Sequence, residues 1–102
     1  MTIKIIQNKI LPILKRHGVT KAAIFGSFVR GEATNKSDVD LLVNLKRNSS
    51  LFDLADLQID LEKTVGRKVD IVTYGALKHP VLKKNILQEQ KIIYEKRSHS
   101  FS

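Results

Sequence analysis

Residues 26–43 read GSFVRGEATNKSDVDLLV, and they join two segments that predict β-strands. The segment before them, residues 21–25, is short and apolar and runs into Gly26-Ser27, which predicts a strand that ends at a turn. The last part of the stretch, residues 38–43, predicts a second strand, which Leu45 would extend by two residues.

The N-terminal segment predicts an amphipathic helix that ends near His17-Gly18. Its apolar residues recur at the three-to-four spacing of one helix face: Ile3, Ile6, Ile10, Ile13 and Leu14. Pro12 lies inside this pattern, so the helix is expected either to kink there or to start later.

A second helix is predicted to begin after Ser50. Asp53 follows Ser50 by three residues, as in a capping box, and Gly66 supplies a stop. The inner face of this helix would consist of Leu54, Leu57, Leu61 and Val65.

The remaining segments complete an alternation of helices and strands. Residues 68–73 predict a third strand followed by a turn at Gly75, and Pro80 fits the first turn of a helix that reaches about Gln88. Residues 91–94 predict a short strand. The order predicts an α+β (mixed α/β) fold, in which helices pack against a small mixed β-sheet.

Length and composition restrict the class of protein. The 102 residues suit one domain, expected to span residues 1–97 with a frayed tail at 98–102. The absence of cysteine excludes disulfides and thiolate metal sites and fits a cytoplasmic protein. No segment is apolar enough to cross a membrane, and the start does not resemble a signal peptide. The net charge of +8 favours anionic partners, although such spread-out basic residues are most simply a solvated surface.

Three aspartates are candidate metal ligands. Asp38 and Asp40 are two residues apart in a predicted strand, so their carboxylates are expected to project from the same face. Two such charges repel each other, so a fold that places them together either needs a cation there or keeps one of the acids protonated. Carboxylate oxygens suit Mg²⁺ or Mn²⁺. Asp70 interrupts another apolar strand and would complete a site for two metal ions if that strand lay beside the first.

The Gly26-Ser27 turn is a candidate phosphate-binding element. Glycine lets the backbone approach a phosphate closely, and a helix that begins after the turn would present free N–H groups. The Ser27 hydroxyl would donate to a phosphate oxygen. Arg30 would either contact phosphate or brace the turn through a carboxylate such as Glu32.

Each feature also has a simpler interpretation. An Asp-x-Asp pair at a strand edge is often only a surface feature, a Gly-Ser turn is less specific still, and Asp70 could pair with a lysine or arginine. It is their combination in a strand–turn–strand context that favours a metal–nucleotide site.

The spacing of these residues resembles the polymerase-beta-type nucleotidyltransferases. The resemblance rests on Gly26-Ser27, ten intervening residues and then Asp38-x-Asp40. The fuller string, with Arg30-Gly31 and Ser37, resembles the minimal nucleotidyltransferase (MNT) subfamily. It implies a nucleotidyltransferase fold, metal binding by Asp38, Asp40 and Asp70, and contact of Ser27 with a triphosphate. It also implies that Asp70 helps to activate the attacking hydroxyl.

The same resemblance implies a partner. Members of this subfamily are commonly paired, as antitoxins, with a HEPN-type ribonuclease toxin, and the MNT member transfers AMP from ATP to a tyrosine of that toxin. The resemblance covers most of the chain, from the strand at Lys21 to about Tyr94, and leaves no module for an acceptor, so the acceptor hydroxyl is expected to arrive on another molecule.

Two other functions compete with protein adenylylation. A non-catalytic antitoxin would bind nucleotide and cover its toxin sterically, although the intact set of acids argues against it. An RNA-tailing or nucleic-acid-binding protein would use the positive charge, but few aromatic side chains lie among the basic residues for base stacking. Direct nucleic-acid binding is therefore not favoured.

Overall fold

The computed structural model describes residues 2–96, which form one four-stranded sheet with helices on both of its faces. In chain order the elements are α1 (Ile3–Arg16), β1 (Val19–Phe25), α2 (Ser27–Arg30), β2 (Val39–Leu45), α3 (Leu51–Val65), β3 (Val69–Thr73), a short 3₁₀ turn (Tyr74–Ala76), α4 (Pro80–Glu89) and β4 (Lys91–Glu95). The predicted alternation and the mixed α/β class are confirmed. The prediction of a frayed tail at 98–102 lies outside the described residues.

The sheet has the strand order β3-β2-β1-β4. β1 pairs antiparallel with β2 and with β4, whereas β2 and β3 run parallel and are joined through α3. A parallel pair needs such a crossover, because the chain must return to the end where the first strand began. The crossover places the start of β3 beside the start of β2.

The two faces of the sheet bury different side chains. On one face Val39, Leu41 and Val43 join the main core, together with the inner residues of α1 and α3. On the other face Leu42 belongs to a smaller cluster with Ala23 and Leu77. Asp40 lies between Val39 and Leu41 in the strand, so its side chain is on the same face as Leu42.

Helix α1 continues through Pro12, so the alternative that it starts after this residue is wrong. Thr2 caps the helix, because its hydroxyl accepts a hydrogen bond from the Ile5 N–H at 3.2 Å. Pro12 and Asn8 are both exposed, which leaves the Asn8 carbonyl accessible to water where the proline lacks an N–H donor. The buried residues of α1 lie on the opposite face: Ile6, Ile10, Ile13 and Leu14.

Helix α3 has the predicted ends. The Ser50 hydroxyl and the Asp53 carboxylate form both hydrogen bonds of the capping box, and Gly66 ends the helix at φ 77°. Leu57, Leu61 and Val65 are buried as expected, while Leu54 is half-buried against the same core.

Strand boundaries differ slightly from the sequence prediction. β1 begins at Val19, before the apolar segment, because its first residues pair with the end of β2 near Leu45. β2 begins at Val39, which leaves Asp38 just before the strand, and it reaches Leu45 as predicted. Among residues 2–96, no helix is both long and apolar enough to cross a membrane.

Candidate active site

Asp40 and Asp70 lie side by side at the sheet. They are register partners in the parallel pair β2–β3, and register partners project from the same face. Asp40 is also the partner of Phe25, the last residue of β1. The two aspartates are 30 positions apart in the chain, and the crossover through α3 brings them together beside the turn that follows β1.

Asp38 belongs to the same group of charges although it precedes β2. Both Asp38 and Asp40 are half-buried. The pKa of the Asp40 carboxyl is raised, first by burial, then by the negative charges of Asp70, Asp38 and Glu89, while Arg30 opposes the shift. Uncompensated negative charge of this kind favours a bound cation.

The three acids do not form a complete metal cage. Within residues 2–96, no group of three acidic or histidine side chains is close enough to hold a metal ion. Asp70 Oδ1 lies 3.7 Å from Lys68 Nζ, so the alternative of a lysine partner for Asp70 is observed, as an ion pair with both side chains substantially exposed. Exposed pairs of this kind contribute little stability and exchange readily.

The carboxylates nevertheless fit Mg²⁺ in the form in which it accompanies a nucleotide. Mg²⁺ is usually bound by one or two protein carboxylates and completed by substrate phosphates and water. Asp40 with Asp70 or Asp38 supplies such a set of oxygen ligands, and burial together with the negative charges of Asp70 and Asp38 raises the pKa of the Asp40 carboxyl.

The Gly26-Ser27 turn lies directly against Asp40. Gly26 has φ 79° and ψ −148°, a conformation that is essentially restricted to glycine. A Cβ atom on Gly26 would lie 2.1 Å from Asp40 Oδ2, so only glycine allows the turn to approach the carboxylate this closely. Helix α2 begins at Ser27, and within residues 2–96 the Ser27 hydroxyl forms no hydrogen bond.

Arg30 is held by two carboxylates. Its Nε donates to Glu32 Oε1 at 2.9 Å, as one alternative from the sequence predicted. Its Nη1 also donates to both oxygens of Glu89, at 3.1 and 3.2 Å. These contacts raise the pKa of Arg30, first through Glu32 and then through Glu89.

Glu89 is the residue that the sequence did not reveal. It ends α4, 59 positions after Arg30, and no motif marks it. Its Oε1 also accepts a hydrogen bond from the Gly26 N–H. The acid therefore joins α4 to the turn.

A cleft of about 320 Å³ lies between α4 and the end of the sheet. Gly26, Arg30 and Asp40 line one side, and α4 lines the other with residues at the spacing of one helix face: Leu82, Asn85, Ile86 and Glu89. The predicted residues Gly26, Arg30 and Asp40 thus open onto a common space, with Ser27 and Asp70 adjacent to them in the chain or the sheet.

Asp40 is expected to destabilise the metal-free protein near neutral pH. Because folding raises its pKa, the folded state binds the proton more tightly than the unfolded state. The contribution of Asp40 therefore favours folding below its ordinary pKa of 3.8 and is lost as the pH rises through the folded value. Asp40→Asn should raise the Tm of EDTA-treated protein near neutral pH and have progressively less effect toward acid.

Thermal unfolding over a pH series measures this effect. Asp56→Asn is a suitable control, since Asp56 is an exposed carboxylate on α3 and should leave Tm unchanged across the series. A lower Tm for Asp40→Asn near neutral pH would contradict the expectation.

A strand-borne pair of aspartates beside a Gly-Ser turn, on a sheet of this topology, defines a nucleotidyltransferase. Residues 8–99 match the family model described as "Polymerase beta, Nucleotidyltransferase". The chain belongs to this family, and the resemblance seen in the sequence is confirmed.

Its relatives are named as protein adenylyltransferases. The chain is 47% identical over 89 residues to "Putative protein adenylyltransferase MJ0435" of Methanocaldococcus jannaschii, with 87% of this chain and 95% of the relative covered. It is 41% identical over 75 residues to "Protein adenylyltransferase MntA" of Thermococcus cleftensis, with 74% of this chain and 75% of the relative covered.

Solved structures share the fold. The "Structure of putative minimal nucleotidyltransferase" superimposes with a TM-score of 0.76 at 36% identity and covers 89% of this chain and 95% of its own. A toxin–antitoxin structure with AMP-PNP gives a TM-score of 0.74 at 22% identity, covering 89% of this chain and 74% of its own. The tri-AMPylated Shewanella oneidensis HEPN toxin in complex with MNT antitoxin gives 0.68 at 19% identity, covering 91% and 72%. At such identities the last two establish the fold alone.

Proposed function

We propose that this chain transfers AMP from ATP to a hydroxyl group, on a tyrosine, of a HEPN-type ribonuclease toxin and thereby acts as its antitoxin. The observation that carries the proposal is the pairing of Asp40 with Asp70 beside the Gly26-Ser27 turn. The names of the relatives, and the complexes of antitoxins with a HEPN toxin and with AMP-PNP, support this choice of donor and acceptor.

The aspartates are proposed to act on the metal and on the acceptor. When bound, Mg²⁺ supplies positive charge at the triphosphate. Asp38, Asp40 and Asp70 would hold two such ions, and Mn²⁺ could replace Mg²⁺. The acceptor oxygen attacks the α-phosphorus of ATP and forms a P–O bond, while the bond to pyrophosphate breaks. Asp70 accepts the hydroxyl proton. Its exposure beside Lys68 leaves it reachable from solvent and from a docked partner.

The turn is proposed to bind the triphosphate. Gly26 brings the backbone to within contact of Asp40, so that a phosphate bound at the turn would also lie near the carboxylates. The Ser27 hydroxyl, which has no protein partner among residues 2–96, is available to donate to a phosphate oxygen. Arg30 is already engaged by Glu32 and Glu89, which favours bracing of the turn as its main role in the nucleotide site.

The location and extent of the active unit are also proposals. The strands and helices that build the site come from the whole of residues 3–95, in keeping with one domain over residues 1–97. We place the reaction in the cytoplasm, where ATP and Mg²⁺ are available, and the absence of cysteine suits a reducing compartment.

Intact mass of the purified complex tests the proposal. The HEPN-type protein co-expressed with this chain should gain whole AMP units when ATP and Mg²⁺ are added, and peptide mapping should place them on tyrosine. Chelation of the metal with EDTA should prevent the gain. An unchanged partner mass in the presence of ATP and Mg²⁺ would refute adenylylation.

A further inference from the structure

Glu89 contacts both the Gly26-Ser27 turn and Arg30, the last residue of α2. One of its carboxylate oxygens accepts a hydrogen bond from the Gly26 N–H, and both oxygens accept from Arg30 Nη1. The Glu89 side chain is only 24% exposed, which strengthens charged hydrogen bonds relative to those at an open surface.

These contacts fix a helix that is otherwise lightly attached. Helix α4 has no fully buried residue, and Ile86 is only packed against the smaller core cluster. Just beyond the helix, Gln90 Oε1 accepts a hydrogen bond from the Tyr74 hydroxyl at 2.6 Å. The carboxylate of Glu89 is therefore the polar link between α4 and the turn.

Gly26 is held from two sides as a result. Asp40 lies against its Cα, where a Cβ would clash, and Glu89 accepts from its N–H. Glu89 thus restrains the Phe25–Gly26 peptide through its N–H, and Asp40 restrains Gly26 by close approach to its Cα. The hydroxyl of Ser27 remains without a partner within residues 2–96. The contacts of Asp40 and Glu89 with Gly26 therefore restrain the turn and leave this hydroxyl free to donate.

We propose that Glu89 is a positioning residue of the nucleotide site. It acts through Gly26 and Arg30, and it holds the turn in the orientation in which Ser27 meets the triphosphate. This inference rests on the proposed function, because it assigns the triphosphate to the same turn. Preorganised donors bind a phosphate more tightly than donors that must first be ordered.

The opposite role for Glu89 predicts an effect of opposite sign. Glu89 adds negative charge near Asp40, and its carboxylate would repel a triphosphate if it merely filled the place of a phosphate. Removal of the carboxylate would then tighten ATP binding. Removal of a positioning residue weakens it, so the direction of the change in ATP affinity separates the two roles.

Nucleotide affinity of variants of the full chain tests the inference. Displacement of a fluorescent ATP analogue gives the Kd of ATP and of AMP, alongside Tm as a check of folding. Glu89→Ala should weaken ATP binding about tenfold and change AMP binding less than about twofold, since AMP lacks the β- and γ-phosphates that the turn is proposed to grip. Glu89→Gln should recover part of the loss, because its amide oxygen still accepts from the Gly26 N–H.

Asp56→Ala is the control. It removes an exposed carboxylate on α3 that has no hydrogen bond to Gly26 or Arg30 among residues 2–96, and it should change ATP affinity less than about twofold. Unchanged or tighter ATP binding in Glu89→Ala, or an equal loss for ATP and AMP, would overturn the positioning role. If the wild type binds ATP but never transfers AMP to its partner, the proposed function fails while the binding test of Glu89 still stands.

Discussion

Asp40→Asn should reduce AMP transfer by about a thousandfold or more, while the protein still folds and meets its partner. Asp40 is the acid that lies both beside Asp70 and against Gly26, so its carboxylate is common to the proposed metal and phosphate sites. The substitution retains the shape of the side chain but removes its charge. Loss of metal-derived charge stabilisation costs several kcal/mol in the transition state, and each 1.36 kcal/mol is tenfold in rate.

The rate of AMP incorporation into the HEPN-type partner measures this loss. Asp56→Asn removes one carboxylate from the exposed face of α3 and should retain the wild-type rate. Transfer by Asp40→Asn within tenfold of the wild type would exclude Asp40 as a metal ligand.

The same variant separates the two antitoxin hypotheses. If AMP transfer neutralises the toxin, cells that carry Asp40→Asn together with the toxin should stop growing. Full protection by this variant would instead favour a non-catalytic antitoxin that covers its toxin. Among residues 2–96 no three acidic or histidine side chains are close enough to hold a metal ion, so growth of these cells tests whether neutralisation needs metal-dependent AMP transfer.

Gly26→Ala is the second substitution with a large expected effect. The new Cβ would lie 2.1 Å from Asp40 Oδ2 and 3.0 Å from Asp40 Cγ, so the carboxylate and the turn cannot both keep their positions. The backbone conformation of Gly26 adds strain of about 1–3 kcal/mol for any other residue. We expect AMP transfer to fall at least about a hundredfold, since even small misplacement of a reacting constellation has effects of that size.

Gly75→Ala provides the comparison for Gly26→Ala. A Cβ on Gly75 meets no atom within 4 Å, and the residue is exposed, so its stability and activity should stay close to the wild type. Denaturant unfolding and AMP transfer, measured on both variants, separate the steric effect from a general effect of alanine. Wild-type transfer by Gly26→Ala would show that close contact between the turn and Asp40 is not needed.

The losses of AMP transfer expected for Asp40→Asn and Gly26→Ala both concern the Asp40 carboxylate, and the same carboxylate affects the stability of the fold. Burial and neighbouring charges raise the pKa of Asp40, so the ionised carboxylate opposes folding near neutral pH in the absence of a cation. The fold holds this group through the register of β2 with β3 and through the approach of Gly26. Preorganisation for a cation therefore lowers stability until the cation binds.

Local patterns in the sequence predicted most of the elements. The capping box at Ser50 and the stop at Gly66 gave the ends of α3 to within a residue, because caps are hydrogen bonds between residues close in the chain. The Gly26-Ser27 turn and the Asp38-x-Asp40 spacing predicted the candidate site, because each is also a pattern of residues close in the chain. Strand starts were less accurate, since β1 begins at Val19 through pairing with a distant strand.

The sequence by itself determined the helices, the strands, the turn and the residue types of the site. Only the tertiary structure decided that β3 pairs in parallel with β2 in the register Asp40 with Asp70, and that Glu89 reaches Gly26 and Arg30 from the end of α4. The physical reason is range. Periodicity and capping act between residues a few positions apart, whereas strand register and the Glu89 contacts join segments 30 and about 60 positions apart and depend on how the whole core packs.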